Sequence, residues 1–267
     1  MKNLVFMFAI AAALVIAGQA LASEPPSGSL TVVAIGEATA RGGHGVDRAD
    51  VFPMVYGSML AAGLGVEVEV VSRATSMLRT LAHWGREIRS DGRLRTDLAR
   101  ADVVIVWICF TDLTAQLHHY EPHQWPDPMR DRLVAEEFDF VHFAAPERFA
   151  LEVAAPLREA TPEHATILFG DCFMPPTVIE LHAAEPYWPE LEQLLYGSWR
   201  AGLVRAAAEI DAVVVPTYAA LSGPAGDTVI DAALAARQEG LFRFNEAGHR
   251  FLADLFRQHD GLGGRSD

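Results

Sequence analysis

The sequence predicts an α/β domain in three layers, a five-stranded parallel sheet with helices on both faces. Three observations carry this. Short runs of strand length occur at 30–35 (LTVVAI), 66–71 (VEVEVV), 103–108 (VVIVWI), 166–169 (TILF) and 212–215 (AVVV). Segments with helical spacing separate them, and that alternation builds a parallel sheet buried on both faces. The chain has 267 residues, 51% of them hydrophobic and 21% charged, which is enough for one large core and too ordinary for disorder.

Residues 1–22 (MKNLVFMFAIAAALVIAGQALA) stand apart from the fold. Lys2 precedes an apolar run from Leu4 to Ala17, and Ala20-Leu21-Ala22 has the small-x-small form of a cleavage signal. This reads as a secretory signal peptide. The run is short for a span of about 20 residues and no cationic flank follows it, so no membrane span is expected in the mature form. No cysteine follows the run, so lipoprotein attachment is unsupported. The expectation is export to the periplasm or the extracellular space. Residues 23–29 (SEPPSGS) form a polar lead-in, 30–258 the domain, and 259–267 (HDGLGGRSD) a frayed, disordered tail.

The elements follow in order. The run 30–35 ends in Gly36 and suits a buried strand. Val51 to Leu64 is helix-like, with Pro53 acceptable in a first turn. In 66–71 valine alternates with glutamate, as in a half-buried or edge strand. Met77 to Ile88 and Leu94 to Arg100 look helical, and 103–108 is the strongest buried strand. Leu191, Leu194, Leu195, Trp199, Leu203, Ala206 and Ile210 lie at helical spacing before the strand at 212–215. Asn245 can cap a last helix carrying Phe251, Leu252, Leu255 and Phe256 on one face. Residues 113–163 and 173–190, rich in His and Pro, read as insertions. They follow strand C-terminal ends, where open α/β sheets build their sites.

Composition narrows the function. Against 35 acidic residues stand 21 basic ones, a formal net charge of −14. A nucleic-acid partner is not expected, because such a binder needs a basic footprint. Every cation after Lys2 is arginine, a bias without functional content. Two cysteines exclude a disulfide-rich scaffold and a four-cysteine zinc site.

Four short blocks then give the order of segments a resemblance to the SGNH, or GDSL-type, hydrolases over roughly residues 30–258. That family has a flavodoxin-like sheet and a serine nucleophile, and its reaction is ester (acyl) hydrolysis. Its first block is a strand followed by Gly-Asp-Ser. Here the strand is followed by Gly36-Glu37-Ala38-Thr39, with Ala38 at the serine position. Its second is an Asn-x-Gly-like turn whose glycine N–H helps bind the oxyanion. The best match is Ser72-Arg73-Ala74, where Ala74 keeps a backbone N–H. Its third is Gly-x-Asn-Asp, matched by Cys109-Phe110-Thr111-Asp112, with Thr111 in place of the oxyanion-donating asparagine. Its last is Asp-x-x-His before a Gly-His pair on the final helix. Here Gly240 to Arg243 precede Gly248-His249, and Arg243 holds the base position. Shifting by one residue puts Glu239 and Phe242 there instead; neither alignment supplies a histidine.

Ester hydrolysis by this route needs a nucleophile, a base, a group to orient the base, and oxyanion donors. The matching positions supply Asp112 and at most one backbone donor. The resemblance therefore implies a degenerate member: a ligand-binding or regulatory pseudoenzyme on an esterase fold. Glu37, Thr39, His44, Arg73 and Asp112 are pocket candidates around Ala38, Ala74, Thr111 and Arg243. The expected ligand is a small acyl, glycan or carboxylate group, with an anion favoured by Arg243. No cofactor is implied, and no protein partner is identified. The alternative is an active esterase with relocated machinery, using Thr39 or Cys109 as nucleophile and His44 or a loop histidine as base. A third reading is an exported structural domain without a ligand.

Other residues carry weaker signals. In the family, the strands preceding Cys109 and Cys172 are neighbours, so the two thiols could bridge across the mouth of the site. The long enclosed segment would make that staple worth about 4 kcal/mol; two separate buried thiols are the other reading. His118, His119 and His123, with His142 beyond, invite a metal. Pro122 breaks the helical spacing and no His-Glu-x-x-His pattern is present, so a polar loop is preferred and no metal site is expected. Trp107, Tyr120, Trp125, Phe138, Phe140, Phe143, Phe173, Tyr187 and Trp188 suit either a ligand surface or a core under long loops.

Overall fold

The computed structural model describes residues 28–36, 38–41, 46–75, 81–108, 150–171, 200–222, 228–230 and 244–262. The strands are β1 (Ser29–Gly36), β2 (Glu67–Ser72), β3 (Val103–Trp107), β4 (Thr166–Gly170) and β5 (Val213–Val215). They form one parallel sheet in the order β2-β1-β3-β4-β5. The helices are α1 (Ala38–Arg41), α2 (Phe52–Leu64), α3 (Leu81–Ser90), α4 (Gly92–Leu98), α5 (Ala155–Ala160), α6 (Arg200–Glu209), α7 (Thr217–Leu221) and α8 (Glu246–His259).

Strand alternation divides the core into two layers. Val32, Ala34, Val103 and Ile105 face α2 and α8, where Phe52, Tyr56, Leu60, Leu252 and Phe256 are buried against them. Val33, Ile35, Val104 and Val106 face α3 to α6, against Trp84, Ile88, Leu98, Leu157 and Leu203. Successive side chains of a strand point to opposite faces, so a run such as VVAI fills both layers at once. β2 is an edge strand, as its pattern predicts. Glu67 and Glu69 are exposed, while Val68 and Val70 pack on the α2 side. Charged side chains on an edge discourage pairing with another chain.

Two boundaries differ from expectation. The segment 113–163 is not wholly an insertion. Residues 150–160 form a helical stretch, a π-turn over Ala150–Ala154 leading into α5. Val153, Ala154 and Leu157 are buried against α3 and α6, so this is part of the β3-to-β4 crossover. Pro156 hides it from a helical reading: it has no N–H to donate back along the chain, and the wider turn before it absorbs that loss. At the other end, the packed chain continues past 258 to Leu262. Asp260 is buried and accepts from Tyr56 Oη (2.9 Å), Arg257 Nη1 (2.7 Å) and the Leu262 N–H (2.9 Å). Those bonds hold the first residues of the expected tail; 263–267 lie outside the described residues.

Candidate functional site

Parallel sheets place their sites at strand C-terminal ends, and here each end is built differently. β1 ends at Gly36, whose φ of 142° is open to glycine and strained for other residues. A Cβ there would lie 2.1 Å from the Trp107 carbonyl oxygen at the end of β3. β1 and β3 can therefore run together to their last residues only with glycine at this position. The chain enters α1 at Ala38, with Thr39 next. The side chains of Ala38 and Thr39 lie outside the described residues.

The end of β2 is tied to β1. The Arg73 N–H donates to Ala34 O (2.7 Å), and the Thr75 N–H to Gly36 O (2.9 Å). This brings Ala74 beside the start of α1. Arg73 turns elsewhere: its Nε donates to Asp97 Oδ2 on α4 (2.6 Å). Asp97, nearly buried, also accepts from Arg100 (3.4 Å), which in turn pairs with Glu69. The Arg73 cation is thus held by a carboxylate in a ladder along the sheet edge.

Ala40, Arg41, Val46, Arg48, Val51, Met54, Ser72 and Ala74 line a cleft of about 410 Å³. Ala40 and Val51 are its buried floor; Arg41 and Arg48 are exposed at its rim. The volume falls within the range usual for small-ligand pockets, roughly 300–1,000 Å³.

β3 ends in Trp107, which is buried. Its ring meets Phe52 at 5.6 Å, Phe256 at 6.3 Å and Phe244 edge-on at 6.3 Å. Of the two roles open to this aromatic, the structure assigns it the core.

β4 is followed directly by Asp171, a residue the sequence reading did not single out. Its carboxylate is fully buried and accepts from the Tyr218 N–H (2.6 Å), Thr217 Oγ1 (2.8 Å) and Arg200 Nε (2.9 Å). Thr217 Oγ1 also bonds the Asp171 carbonyl. One carboxylate thus fixes the starts of α6 and α7 to the sheet. An aspartate directly after the apolar run TILFG was the available signal, because a charge at a strand end is kept only where donors meet it.

His249, second in the Gly-His pair, is buried near the start of α8. Its Nδ1 accepts from the Phe52 N–H (3.3 Å), the first donor of α2 and one with no partner inside its own helix. Burial pushes its pKa down to about 4, against an opposing pull from Asp50. The ring is neutral at pH 7, as an acceptor must be.

Glu37, His44, Cys109, Thr111, Asp112, Cys172, Arg243 and the histidines at 118, 119, 123 and 142 lie outside the described residues. Among the described residues, no group of three or more His, Cys, Asp or Glu could hold a metal ion. Among the same residues, no helix is long and apolar enough to cross a membrane.

No protein-family model and no curated protein matches the sequence. Solved structures do match. The lipase Lip_vut3 from a goat rumen metagenome has a TM-score of 0.61 at 17% identity, covering 88% of this chain and 97% of its own. The acetylxylan esterase Axe2 from Geobacillus stearothermophilus has a TM-score of 0.56 at 17% identity, covering 91% of this chain and 100% of its own. A catalytic mutant of Axe2 with a serine-to-alanine change has a TM-score of 0.57 at 19% identity, covering 88% and 95%. With the sheet order β2-β1-β3-β4-β5 and helices on both faces, the chain shares the α/β fold of these lipase and esterase structures.

Proposed function

We propose that this chain is an exported ligand-binding or regulatory protein that keeps an esterase fold and has lost the covalent chemistry. One observation carries the reading: the helix that leaves the sheet after Gly36 opens on Ala38, a residue with no oxygen to attack an acyl carbon. Resemblance puts the nucleophile at that position, and one of the fold's solved examples is a catalytic mutant made by a serine-to-alanine change.

The other parts of the machinery point the same way. A base must reach the proton it abstracts, and His249 is engaged at the start of α2. Of the oxyanion donors, the backbone N–H of Ala74 remains at the place the resemblance assigns to a glycine N–H. A backbone N–H can bind a carbonyl or carboxylate oxygen. Without a nucleophile it has no tetrahedral intermediate to stabilise. What this end of the sheet can do is hold a ligand. The signal-peptide reading of residues 1–22 supports a place outside the cytoplasm.

Activity-based labelling tests the proposal. The folded protein is expected to stay unlabelled by a fluorophosphonate and by a thiol-directed probe under non-denaturing conditions. Labelling that disappears in Thr39→Ala or Cys109→Ala would establish the relocated nucleophile of the alternative reading and refute the proposal.

A further inference from the structure

We propose that Cys109 and Cys172 form a disulfide that ties the end of β3 to the end of β4. The two cysteines lie just outside the described residues; the strands that lead to them lie within, and the register of the sheet is what pairs them. The inference goes beyond the ligand-binding reading and does not rest on it, since a bridge here fits an active and an inactive protein alike.

β3 and β4 run parallel, with Val103 opposite Thr166, Val104 opposite Ile167, Ile105 opposite Leu168 and Val106 opposite Phe169. Partners in every pair are 63 positions apart. So are Cys109 and Cys172, the two cysteines of the chain. The faces agree as well. Ile105, Trp107 and Leu168 belong to the layer under α2 and α8, while Val106, Ile108, Ile167 and Phe169 belong to the opposite layer. Gly170 is on the side of Trp107, since a Cβ there would lie 2.6 Å from the Trp107 ring. By the alternation of a strand, positions 109 and 172 come next on that face, at the same level. Neighbouring strands lie about 4.8 Å apart, within the roughly 4.4–6.8 Å that a disulfide takes between Cα atoms. Both points of departure are fixed. Ile108 is buried, and the Asp171 backbone donates to Val215 O (3.2 Å) and accepts from Thr217 Oγ1.

Two thiols become a disulfide by losing two protons and two electrons. The oxidant is a disulfide of another molecule, small or protein. One cysteine thiolate attacks it, giving a mixed disulfide and one released thiol. The second cysteine attacks the mixed bond at the first cysteine's sulfur, which closes Cys109–Cys172 and releases the second thiol. The protons and electrons leave in those two thiols. Closure encloses the β3-to-β4 crossover, α5 included, and so restricts the unfolded chain. It also withdraws the Cys109 sulfur from nucleophilic attack, which requires a free thiolate. Such a bond fits the export that residues 1–22 predict.

Peptide mapping without reduction tests the proposal. The folded full-length protein is incubated with excess glutathione disulfide, alkylated in denaturant and digested. A linked pair of peptides holding Cys109 and Cys172 is expected, two hydrogens lighter than the separate peptides together, from a chain that runs as a monomer. Alkylated or separately glutathionylated cysteines, or links only between chains, would overturn the proposal. Reduction should lower the urea midpoint of the wild type by about 1 M or more. It should leave Cys109→Ser, Cys172→Ser and the double variant unmoved, all three sharing one midpoint. Equal midpoints for the oxidised and reduced wild type would show that the bond is no staple of the native sheet, and would also overturn the proposal.

Discussion

The starts of α1 and α8 resemble the same family's motifs, yet they retain different things. At α1 the backbone constraint survives intact: Gly36 cannot carry a side chain because Trp107 O would be 2.1 Å away. The side chain of the residue that opens the helix, Ala38, supplies no polar atom. At α8 the polar residues survive, and each is spent on structure. Asn245 Oδ1 accepts from the Gly248 N–H (2.9 Å), capping the helix. Gly248 lets the Val229 carbonyl approach to where a Cβ would be 2.2 Å away. His249 receives the first N–H of α2. A motif can therefore persist because folding needs it. Constraints on the backbone hold whatever chemistry they frame, and a histidine beside the site points to catalysis only where a ring nitrogen can reach the reacting group.

That contrast can be broken or sharpened by substitution, beginning with the largest expected effect. Gly36→Ala combines a positive φ with a backbone clash that no side-chain movement relieves. Stability should fall by about 4 kcal/mol or more, measured by urea denaturation, or the protein should fail to fold. Ordinary stability in this variant would remove the argument that glycine is required for β1 and β3 to meet.

His249 comes next, and its effect depends on pH. Its folded pKa of about 4 lies below the unfolded value of 6.5. Between these values the unfolded chain binds more protons, so its share of stability is complete above pH 6.5. It declines as pH falls through the window and levels off near pH 4. The difference amounts to roughly 3 kcal/mol. His249→Ala should lose about 2–3 kcal/mol at pH 8 and should lack this part of the acid slope. Equal slopes in the two proteins would show that the ring does not titrate as a buried acceptor.

Asn245→Ala removes a cap worth about 1 kcal/mol, readable as a shift in the denaturation midpoint with an unchanged slope. Ala38→Ser is the smallest change expected. Stability should move by less than about 0.5 kcal/mol and ester turnover should stay at background, since a hydroxyl without a base is a weak nucleophile. Turnover gained by this single change would mean that a base is in place after all.

Much of this was legible in the sequence, for physical reasons that vary by element. The strands at 30–35, 103–108 and 166–169 are apolar on both faces because both faces are covered, and such runs announce themselves. The cap at Asn245 was legible because a side-chain acceptor three residues before a glycine N–H is a local relation. The stretch 150–160 was not, because Pro156 interrupts the helical register that a π-turn then accommodates. α7 is only five residues long, too short to show a period. Of the candidate site, the placement of Ala38 and Ala74 at strand ends was readable from order alone. The Arg73–Asp97 pair, the Asp171 node and the bond from Phe52 to His249 join residues 24 to 197 positions apart, and nothing local encodes such partners. The cleft is likewise assembled from α1, the start of α2 and the end of β2, and appears only when the chain is folded.

The central claim, an esterase fold without ester chemistry, meets its most direct test in steady-state hydrolysis of p-nitrophenyl butyrate by the purified wild-type protein beside its Thr39→Ala variant. Both should match the buffer rate at every substrate concentration. Saturable turnover by the wild type that Thr39→Ala abolishes would contradict the account.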